Sequence, residues 1–423
     1  MSFSDTRYQR QMQLPRFGTA GQKRLSSARV LVVGCGALGT VVCEQLARAG
    51  IGTIVVVDRD LVERSNLQRQ TLFTEQDARR AVPKAEAAKA RIAAINASVV
   101  VRAFVDDLRP ANARGYAQSC DIIVDCLDNF ETRALLNDCA VDLRLPLVYG
   151  GAVGFTGMAT ALLAHDGGRG GDFGGCVRWS DARSTPCLRC LLPELPPPGE
   201  IATCETAGIL GPVAGMVASI QAGLALRLLA EGAEHVPAQL VRFDFESLRF
   251  HNASLDGARD PACPCCVGRR FDYLAHRASS DGSRVLCGRN AVELQLGRGL
   301  TADEVARIEG RLRAACESAG EPAGEPAGDP AGDLAGDLAG DPAGDPAGEV
   351  TADLHGATRV VKIAFRRGIE EGPEEGAGVE VGDGARSTTS ISVLSSEAGT
   401  LAIVDGTRDV ERARAMVARW IGV

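Results

Sequence analysis

The feature that most constrains this chain is a glycine-rich turn between two apolar segments. Residues 30–39 read Val-Leu-Val-Val-Gly-Cys-Gly-Ala-Leu-Gly, a helical stretch covers about residues 40–49, and residues 53–58 read Thr-Ile-Val-Val-Val-Asp. A strand, a G-x-G-x-x-G turn, a helix and a second strand ending in an acid make up a nucleotide-binding βαβ unit. A glycine-rich turn used only for packing is the alternative.

Each glycine of this turn has a physical task in such a unit. Gly34 permits the tight turn, Gly36 lets the backbone approach a phosphate, and Gly39 lets the helix pack against the strand. The helix N-terminus offers free N–H groups and a positive dipole end to an anion. Asp58 follows Gly39 at about the 20-residue spacing at which a carboxylate binds ribose hydroxyls. We therefore predict a nucleotide site here.

Composition excludes some classes of partner. The chain has 423 residues, enough for two or three domains, and its formal net charge of −8 provides no basic field for nucleic acid. The N-terminus has no signal pattern, so we expect a cytoplasmic protein whose 14 cysteines are reduced thiols, available for metal binding or catalysis. Residues 209–226 are apolar enough for a membrane span, but Gly211, Pro212 and Gln221 interrupt them and favour a buried core helix.

Alternating strand-like and helix-like segments predict the fold. Apolar runs indicate strands at residues 98–104, 121–126, 147–151, 158–163 and 240–245. Helical patterns occur between them at residues 84–94 and 131–142, the first directly after Pro83. The alternation up to about residue 150 predicts a doubly wound, mostly parallel sheet of the α/β class.

A change of composition after Gly268 marks a second unit. An acidic tetrapeptide, Glu/Asp-Pro/Leu-Ala-Gly, recurs over about residues 317–350; it cannot bury enough apolar surface to fold, so we predict a disordered insertion. Around it are strand patterns at residues 285–294, 359–365, 388–394 and 401–404 and helical patterns at 301–315 and 409–420. We therefore predict a first domain at residues 1–268, a linker at 269–284 and a small α+β domain at 285–423.

Two cysteine pairs have the spacing of zinc knuckles. Cys187-x-x-Cys190 and Cys263-x-x-Cys266 offer four thiolates to a closed tetrahedral zinc site, which would tie the end of the first domain to its middle. Cys265 competes for a ligand position, although the i, i+3 pair matches the first knuckle better. Four protein thiolates leave no open coordination position, so we expect a structural metal. Two incidental pairs in a cysteine-rich chain are the alternative.

The motifs taken together resemble the ThiF/MoeB/HesA family, the prokaryotic relatives of ubiquitin-activating enzymes. The resemblance covers roughly residues 5–268 and rests on R-Y-x-R-Q, the glycine turn, S-N-L-Q-R-Q, P-K, D-C-x-D-N, both C-x-x-C knuckles and T-C-x-x-A-G, in consistent order. It implies a Rossmann-like fold and ATP-dependent adenylation of the C-terminal glycine of a ubiquitin-like sulfur carrier protein ending in Gly-Gly. Molybdopterin- or thiamine-type biosynthesis would use such a carrier, with a sulfurtransferase or desulfurase as a further partner. From the net charge and the core-helix interpretation of residues 209–226, we expect neither nucleic acid nor a membrane as a partner.

The resemblance also implies roles for individual residues. Arg69 and Lys84 would neutralise phosphate charge while a carboxylate attacks the α-phosphorus of ATP, and Arg10 would reach the ATP bound by the other subunit of a homodimer. Asp128 would bind Mg²⁺, with Asn129 beside it. The implied nucleotide-binding positions are Gly34, Gly36, Ala37, Gly39, Asp58, Ser65, Asn66, Gln68, Arg69, Lys84, Asp128 and Asn129.

Several of these positions have plainer interpretations. Arg69 and Lys84 would also suit a charged surface, and Asp128 would suit the N-cap of the following helix. Cys204 matches a cysteine that some relatives use in thioester, acyl-disulfide or persulfide chemistry, and an accessible thiol without chemistry fits equally well. The loop at residues 167–184 is longer than in close relatives, which bears on carrier docking.

Two other classes of function use a similar start. An NAD-dependent Rossmann oxidoreductase would use the glycine turn but has no task for Arg10, Arg69 and Lys84 together. A non-catalytic carrier-binding scaffold would be expected to have lost charged residues of the ATP site, and these residues are present. The sequence therefore favours an adenylyltransferase, which is a nucleotidyltransferase.

Overall fold

The computed structural model describes residues 6–164, 184–194 and 207–275, together with the backbone of strands between residues 283 and 405. The chain divides into two compact units, Met1–Ala278 and Ser279–Val423. Several predicted features lie outside the described residues: Cys204, residues 167–183 of the long loop, residues 317–349 of the acidic repeat, and the helices at 301–315 and 409–420.

An eight-stranded sheet forms the centre of the first unit. Its strands are β1 (Arg29–Val33), β2 (Thr53–Val57), β3 (Val100–Phe104), β4 (Ile122–Asp125), β5 (Leu147–Val153), β6 (Thr156–Leu162), β7 (Gln239–Asp244) and β8 (Arg249–Ser254). In the order β3-β2-β1-β4-β5-β6-β7-β8, the first five strands are parallel and the last three are antiparallel. The predicted doubly wound, mostly parallel sheet is confirmed.

Helices cover both faces of this sheet. They are α1 (Gln9–Met12), α2 (Gly18–Ser27), α3 (Ala37–Ala49), α4 (Glu75–Arg79), α5 (Lys84–Ile95), α6 (Ala113–Ala117), α7 (Phe130–Leu143), α8 (Leu188–Leu191), α9 (Gly211–Glu231) and α10 (Asp272–Ala275). Val30 and Val32 of β1 pack with α3, α5 and α9, whereas Leu31 and Val33 pack with α6 and α7. Because successive side chains point to opposite faces, a strand covered on both sides is apolar throughout.

The long apolar helix α9 belongs to the core of this unit. By length and composition it is the one described helix that is apolar enough to cross a membrane, and it packs against α2, α3, β5 and β6. Gln221, which interrupts the apolar run, is fully buried, and its Nε2 donates to the carbonyl oxygens of Asp125 at 2.7 Å and Val148 at 3.3 Å. This polar side chain therefore joins α9 to strands β4 and β5, as expected of a core helix.

Two elements of the first unit, one strand and one helix, differ from the sequence expectations. Strand β8 was not predicted, because all six of its residues are exposed and its apolar alternation is weak. Residues 272–275, which fall inside the predicted linker, form α10, and Leu274 is buried. The first unit therefore continues past Gly268 in folded form.

The second unit contains a six-stranded antiparallel sheet. Its strands are β9 (Ser283–Leu286), β10 (Ala291–Gln295), β11 (Val350–His355), β12 (Thr358–Arg366), β13 (Thr388–Ser396) and β14 (Gly399–Asp405), in the order β11-β12-β13-β14-β10-β9. The strand region predicted at 285–294 is two paired antiparallel strands, β9 and β10. Strand β11 was not predicted, since its sequence is short and half polar.

Candidate nucleotide site and cysteine cluster

The glycine turn lies where β1 meets the start of α3. Gly34 has a φ of +88°, and a Cβ atom there would lie 2.6 Å from the carbonyl oxygen of Cys126. A Cβ atom at Gly36 would only meet Gln70 Nε2, at 3.7 Å, which is ordinary contact. The fold therefore needs glycine at position 34 but tolerates a side chain at position 36, so the small residue at position 36 leaves room for a ligand.

Helix α3 begins three residues earlier than the sequence predicted. Gly36 is its N-cap residue, no described side chain caps this terminus, and Ala37 and Gly39 lie in the first turn. The helix starts there because Thr40 N–H and Thr40 Oγ1 both bond to the Gly36 carbonyl oxygen, at 3.1 Å and 2.8 Å. The uncapped first turn offers backbone N–H groups to an anion.

Asp58 connects the end of β2 to the glycine turn. Its Oδ2 accepts the N–H of Cys35 at 2.5 Å, and its Oδ1 accepts the N–H of Asp60 at 2.8 Å. Burial raises the pKa of Asp58 to about 6, although the Lys84 ammonium opposes the rise. Each carboxylate oxygen has two lone pairs, so Asp58 can also accept hydrogen bonds from two ribose hydroxyls.

The segment after β2 forms a second wall of the site. Asn66 is buried and its Oδ1 accepts the N–H of Glu63 at 3.1 Å, so this side chain fixes the turn itself. Ser65 and Gln68 are exposed, and the half-buried Arg69 donates to the Ser65 carbonyl oxygen at 3.0 Å. The Arg69 side chain is therefore bound to the backbone of a turn that Asn66 holds in one conformation.

Asp128 follows β4 and is exposed, whereas Asn129 caps α7. Asn129 Oδ1 accepts the N–H of Thr132 at 2.9 Å, so the alternative in which Asp128 caps this helix is wrong. Because the Cys126 carbonyl oxygen abuts Gly34, the loop that carries Asp128 lies beside the glycine turn. An exposed carboxylate next to a phosphate cradle fits a Mg²⁺ ligand.

A buried charged group beneath this loop was missed at the sequence level. Asp125 and Arg133 are almost fully buried; Asp125 Oδ1 accepts the Leu127 N–H at 3.0 Å, and Arg133 Nη2 donates to the Leu127 carbonyl oxygen. The Arg133 guanidinium lies 4.7 Å from the centre of the Tyr149 ring. Burial raises the pKa of Asp125, and Arg133 opposes that rise. The D-C-x-D-N motif contained Asp125, but its spacing gave no indication that Arg133 would be its partner.

Gln70 is a second residue missed by the sequence analysis. It is 4% exposed, its Oε1 has no hydrogen-bond partner among the described residues, and its Nε2 faces Gly36. The S-N-L-Q-R-Q motif contains this residue, yet motif spacing does not distinguish it from Gln68.

Arg10 lies at the opposite edge of the sheet from the glycine turn. The Tyr8 ring packs against Gly50, and Gln11 Nε2 donates to the Ala49 carbonyl oxygen at 3.2 Å, so α1 is attached to the C-terminal end of α3. Helix α3 begins at the turn and has 13 residues, which corresponds to about 20 Å. Within one chain, Arg10 therefore does not reach the nucleotide site.

The four predicted zinc ligands form one cluster. Their Sγ atoms all lie within 4.8 Å of one another, with 3.6 Å between Cys187 and Cys263 and 3.5 Å between Cys190 and Cys266. Zn–S bonds of about 2.3 Å in a tetrahedron place the sulfur atoms about 3.8 Å apart. The observed separations are also far longer than the S–S bond of about 2.05 Å in a disulfide. The cluster therefore fits tetrahedral Zn²⁺.

Helix α7 holds the cysteine cluster in place. Asn137 Oδ1 accepts the Leu188 N–H at 2.8 Å, and Asp138 Oδ2 accepts the Tyr273 N–H at 2.9 Å. The competing thiol Cys265 is a neighbour of Cys187 but is held by α7, because its Sγ donates to Asp138 Oδ1 at 3.3 Å and accepts from Asn137 Nδ2 at 3.4 Å.

Comparisons with known proteins agree with this architecture. The ThiF family model matches residues 8–265. The chain is 40% identical over 309 residues to the sulfur carrier protein ThiS adenylyltransferase of Bacillus subtilis, covering 73% of this chain and 85% of that protein. It is 39% identical over 260 residues to the sulfur carrier protein adenylyltransferase of Thermus thermophilus, covering 62% and 90%.

A solved structure shows a related fold. The E. coli MccB structure with MccA-N7isoASN superimposes with a TM-score of 0.50 at 21% identity, covering 62% of this chain and 74% of that chain. At this level of identity the likeness concerns the fold alone.

Proposed function

The chain belongs to the ThiF family, and from this premise we propose that it adenylates the C-terminal glycine of a ubiquitin-like sulfur carrier protein. A carboxylate oxygen of the carrier attacks the α-phosphorus of ATP, the bond to the bridging oxygen breaks, and pyrophosphate leaves. The observation that carries the proposal is the convergence of the glycine turn, Asp58, Lys84, Arg69 and Asp128 at the carboxyl end of the parallel strands. Open α/β sheets bind their ligands at this edge.

Different residues of the site are proposed to bind different parts of ATP. The first turn of α3 donates N–H groups to the phosphates, and Asp58 accepts from the ribose hydroxyls. Lys84 and Arg69 supply positive charge, which stabilises the negative charge that moves onto pyrophosphate. Mg²⁺ held by Asp128 would neutralise further phosphate charge and orient the leaving group.

Neither alternative function has support from the relatives. The two relatives described above are named adenylyltransferases, and neither name refers to a nicotinamide-dependent reaction or to a scaffold. All the charged residues that distinguish an ATP site from a dinucleotide site are present in this chain.

The position of Arg10 supports a homodimer as the active form. Arg10 is exposed on α1, which is attached to the C-terminal end of α3, and the glycine turn lies at the other end of that helix, which is about 20 Å long. A second copy of the chain, related by two-fold symmetry, would bring its Arg10 to this site while receiving Arg10 in return. Each site would then consist of residues from both subunits.

Exposed apolar side chains beside the site suit a protein substrate. The β5–β6 turn carries Phe155, the β7–β8 turn carries Leu248, and β8 carries Phe250; these residues are 47%, 67% and 59% exposed. The strand pairings Val153–Thr156, Thr156–Asp244 and Asp244–Arg249 place both turns at the same edge of the sheet as Asp128. Exposed apolar residues gathered at one edge are typical of a protein-binding surface.

The cysteine cluster supports a structural Zn²⁺ ion. Four thiolates complete a tetrahedron, so Zn²⁺ would stabilise the junction between α7, α8 and residues 263–275 and take no part in the transfer of AMP. Cysteines that form no disulfide bonds are typical of a reducing compartment. We therefore propose that the protein is cytoplasmic. A sulfurtransferase or desulfurase would then deliver sulfur to the adenylated carrier, for molybdopterin- or thiamine-type biosynthesis.

Carrier-dependent exchange of pyrophosphate into ATP tests the proposed function. We expect exchange with at least one carrier from a panel of Gly-Gly-ending ubiquitin-like proteins, and none with a carrier that lacks its last glycine. Arg69→Ala should abolish exchange and leave thermal unfolding unchanged, because this half-exposed side chain contributes charge rather than packing. ATP binding without exchange for any carrier would contradict the proposal.

A further inference from the structure

A second carboxylate beside Asp58 holds the lysine of the nucleotide site. Lys84 begins α5, its side chain is 5% exposed, and its Nζ lies 2.8 Å from Asp60 Oδ2. The backbone N–H of Lys84 also donates to the carbonyl oxygen of Asp60 at 2.8 Å. Asp60 therefore binds both the main chain and the ammonium group of the same lysine.

The backbone around this pair is fixed on both sides. The N–H of Val62 donates to the carbonyl oxygen of Val82 at 2.8 Å, and Leu61 pairs with Pro83 in an antiparallel bridge. Residues 60–62 thus run beside residues 82–84. Since Asp58 accepts the Asp60 N–H with one oxygen and the Cys35 N–H with the other, the pair is also tied to the glycine turn.

The charges around Asp60 hold its carboxylate in one orientation. Its Oδ1 lies 3.9 Å from Arg59 Nε, and Arg59 Nη1 lies 3.3 Å from Asp107 Oδ2. A lysine side chain has four rotatable bonds and loses much entropy when it is held in one position, so a fixed partner favours a defined ammonium position.

We propose that Asp60 is a positioning residue for adenylation, which holds the Lys84 ammonium at the carboxyl end of β2 in the place where the triphosphate binds. The ammonium carries three N–H donors, so a bond to Asp60 is compatible with bonds from the same group to phosphate oxygens. Asp60 acts through Lys84 and does not touch ATP itself. The inference rests on the proposed function for the identity of the nucleotide.

Calorimetric binding of MgATP to the full chain tests this role without any carrier protein. Asp60→Asn keeps the size and backbone contacts of the residue but removes its charge, and we expect the Kd to rise about tenfold, the equivalent of one charge-assisted hydrogen bond. In a Lys84→Ala background the same change should alter the Kd by less than about twofold, because the partner through which Asp60 acts is gone. Asp60→Glu should retain most of the affinity because it keeps the charge.

The controls separate positioning from general destabilisation. Asp142→Asn removes a carboxylate that lies 2.7 Å from Arg114 on the surface, and it should leave the Kd unchanged. An equal loss of affinity from Asp60→Asn in the wild-type and Lys84→Ala backgrounds, or from Asp60→Glu and Asp60→Asn, would overturn the proposal. Tight MgATP binding that depends on Asp60, without exchange for any carrier, would leave this inference standing and contradict only the proposed function.

Discussion

The carbonyl oxygen of Gly34 occupies the space that a side chain at Gly39 would need. A Cβ atom at Gly39 would lie 2.0 Å from that oxygen, so the first turn of α3 can approach β1 only without a side chain there. A Cβ atom at Gly36 would meet no described backbone atom within 4 Å. The glycines of one motif therefore differ: the fold requires glycine at position 39, whereas at position 36 it leaves space for a ligand.

This difference predicts opposite effects for two alanine variants. Gly39→Ala forces α3 away from β1 and should lower the free energy of unfolding by about 2 kcal/mol or more. Gly36→Ala should unfold at the wild-type temperature but bind MgATP much more weakly, because the methyl group would occupy the proposed phosphate position. Calorimetric unfolding and binding measure both effects. Wild-type MgATP affinity in Gly36→Ala would show that the phosphates bind elsewhere.

Mixing two inactive variants tests whether Arg10 acts across a dimer. Arg10→Ala and Arg69→Ala should each lack exchange activity as pure homodimers. In a heterodimer, one of the two sites keeps its own Arg69 and receives Arg10 from the other subunit, so an equal mixture should recover roughly a quarter of wild-type activity. Exchange is the readout, after subunits have been denatured and refolded together.

No recovery from that mixture would contradict the proposal that Arg10 completes the site of the other subunit. Arg7→Ala offers a matched control on the same segment, because Arg7 Nη1 is bound to the Ile95 carbonyl oxygen at 3.1 Å and is not expected to contact ATP. A mixture of Arg7→Ala with Arg69→Ala should therefore lose activity only in proportion to its defective sites.

Two neighbouring cysteines should differ in their effect on zinc. Cys263→Ser removes one of the four clustered thiolates and should lower both the zinc content and the unfolding temperature. Cys265→Ser should keep one zinc ion per chain, because Cys265 is held by Asn137 and Asp138 and is not one of the four clustered thiols. Elemental analysis of the purified variants distinguishes them. Zinc loss in Cys265→Ser alone would mean that the ligand set is wrong.

The pKa of Asp58 predicts a pH dependence for nucleoside binding. An ionised carboxylate accepts ribose hydroxyl groups better than a protonated one, so adenosine affinity should fall as the pH drops through about 6. Adenosine is the probe because it has no phosphate that titrates in the same range. Asp58→Asn should bind adenosine weakly, with little pH dependence on either side of that value. An unchanged pH profile in this variant would contradict the assignment.

Protonation of Asp58 should weaken adenosine binding but should stabilise the folded protein. Asp58 holds its proton more tightly in the folded protein, with a pKa of about 6, than in the unfolded chain, where the value is 3.8. Its contribution to the free energy of unfolding is therefore complete below the unfolded-state pKa and is lost as the pH rises through the folded-state value. The difference between wild type and Asp58→Asn in denaturant unfolding across this range isolates the effect.

Linear motifs predicted most of the parallel sheet and the cysteine cluster. Each of these motifs consists of residues only a few positions apart: the glycine turn, the acid after β2 and the C-x-x-C pairs. Residues that close in sequence remain close in space whichever way the rest of the chain folds. Strand β8 could not be found in this way, because all of its residues are exposed and its apolar alternation is weak. The interpretation of Asp128 as the N-cap of the following helix was wrong, because Asn129 takes that position and its side chain accepts the Thr132 N–H, although both residue types favour an N-cap.

The sequence by itself determined the family resemblance and predicted a phosphate-binding turn and a four-thiolate metal site, because both predictions depend on residue types at fixed local spacings. Only the tertiary structure decided which distant residues meet. It brought Asp60 to Lys84 and Arg133 to Asp125, and it placed Arg10 at the far end of α3 from the glycine turn. The physical reason is that side-chain contacts across a sheet depend on strand order and on burial, and neither is encoded in the spacing of a motif.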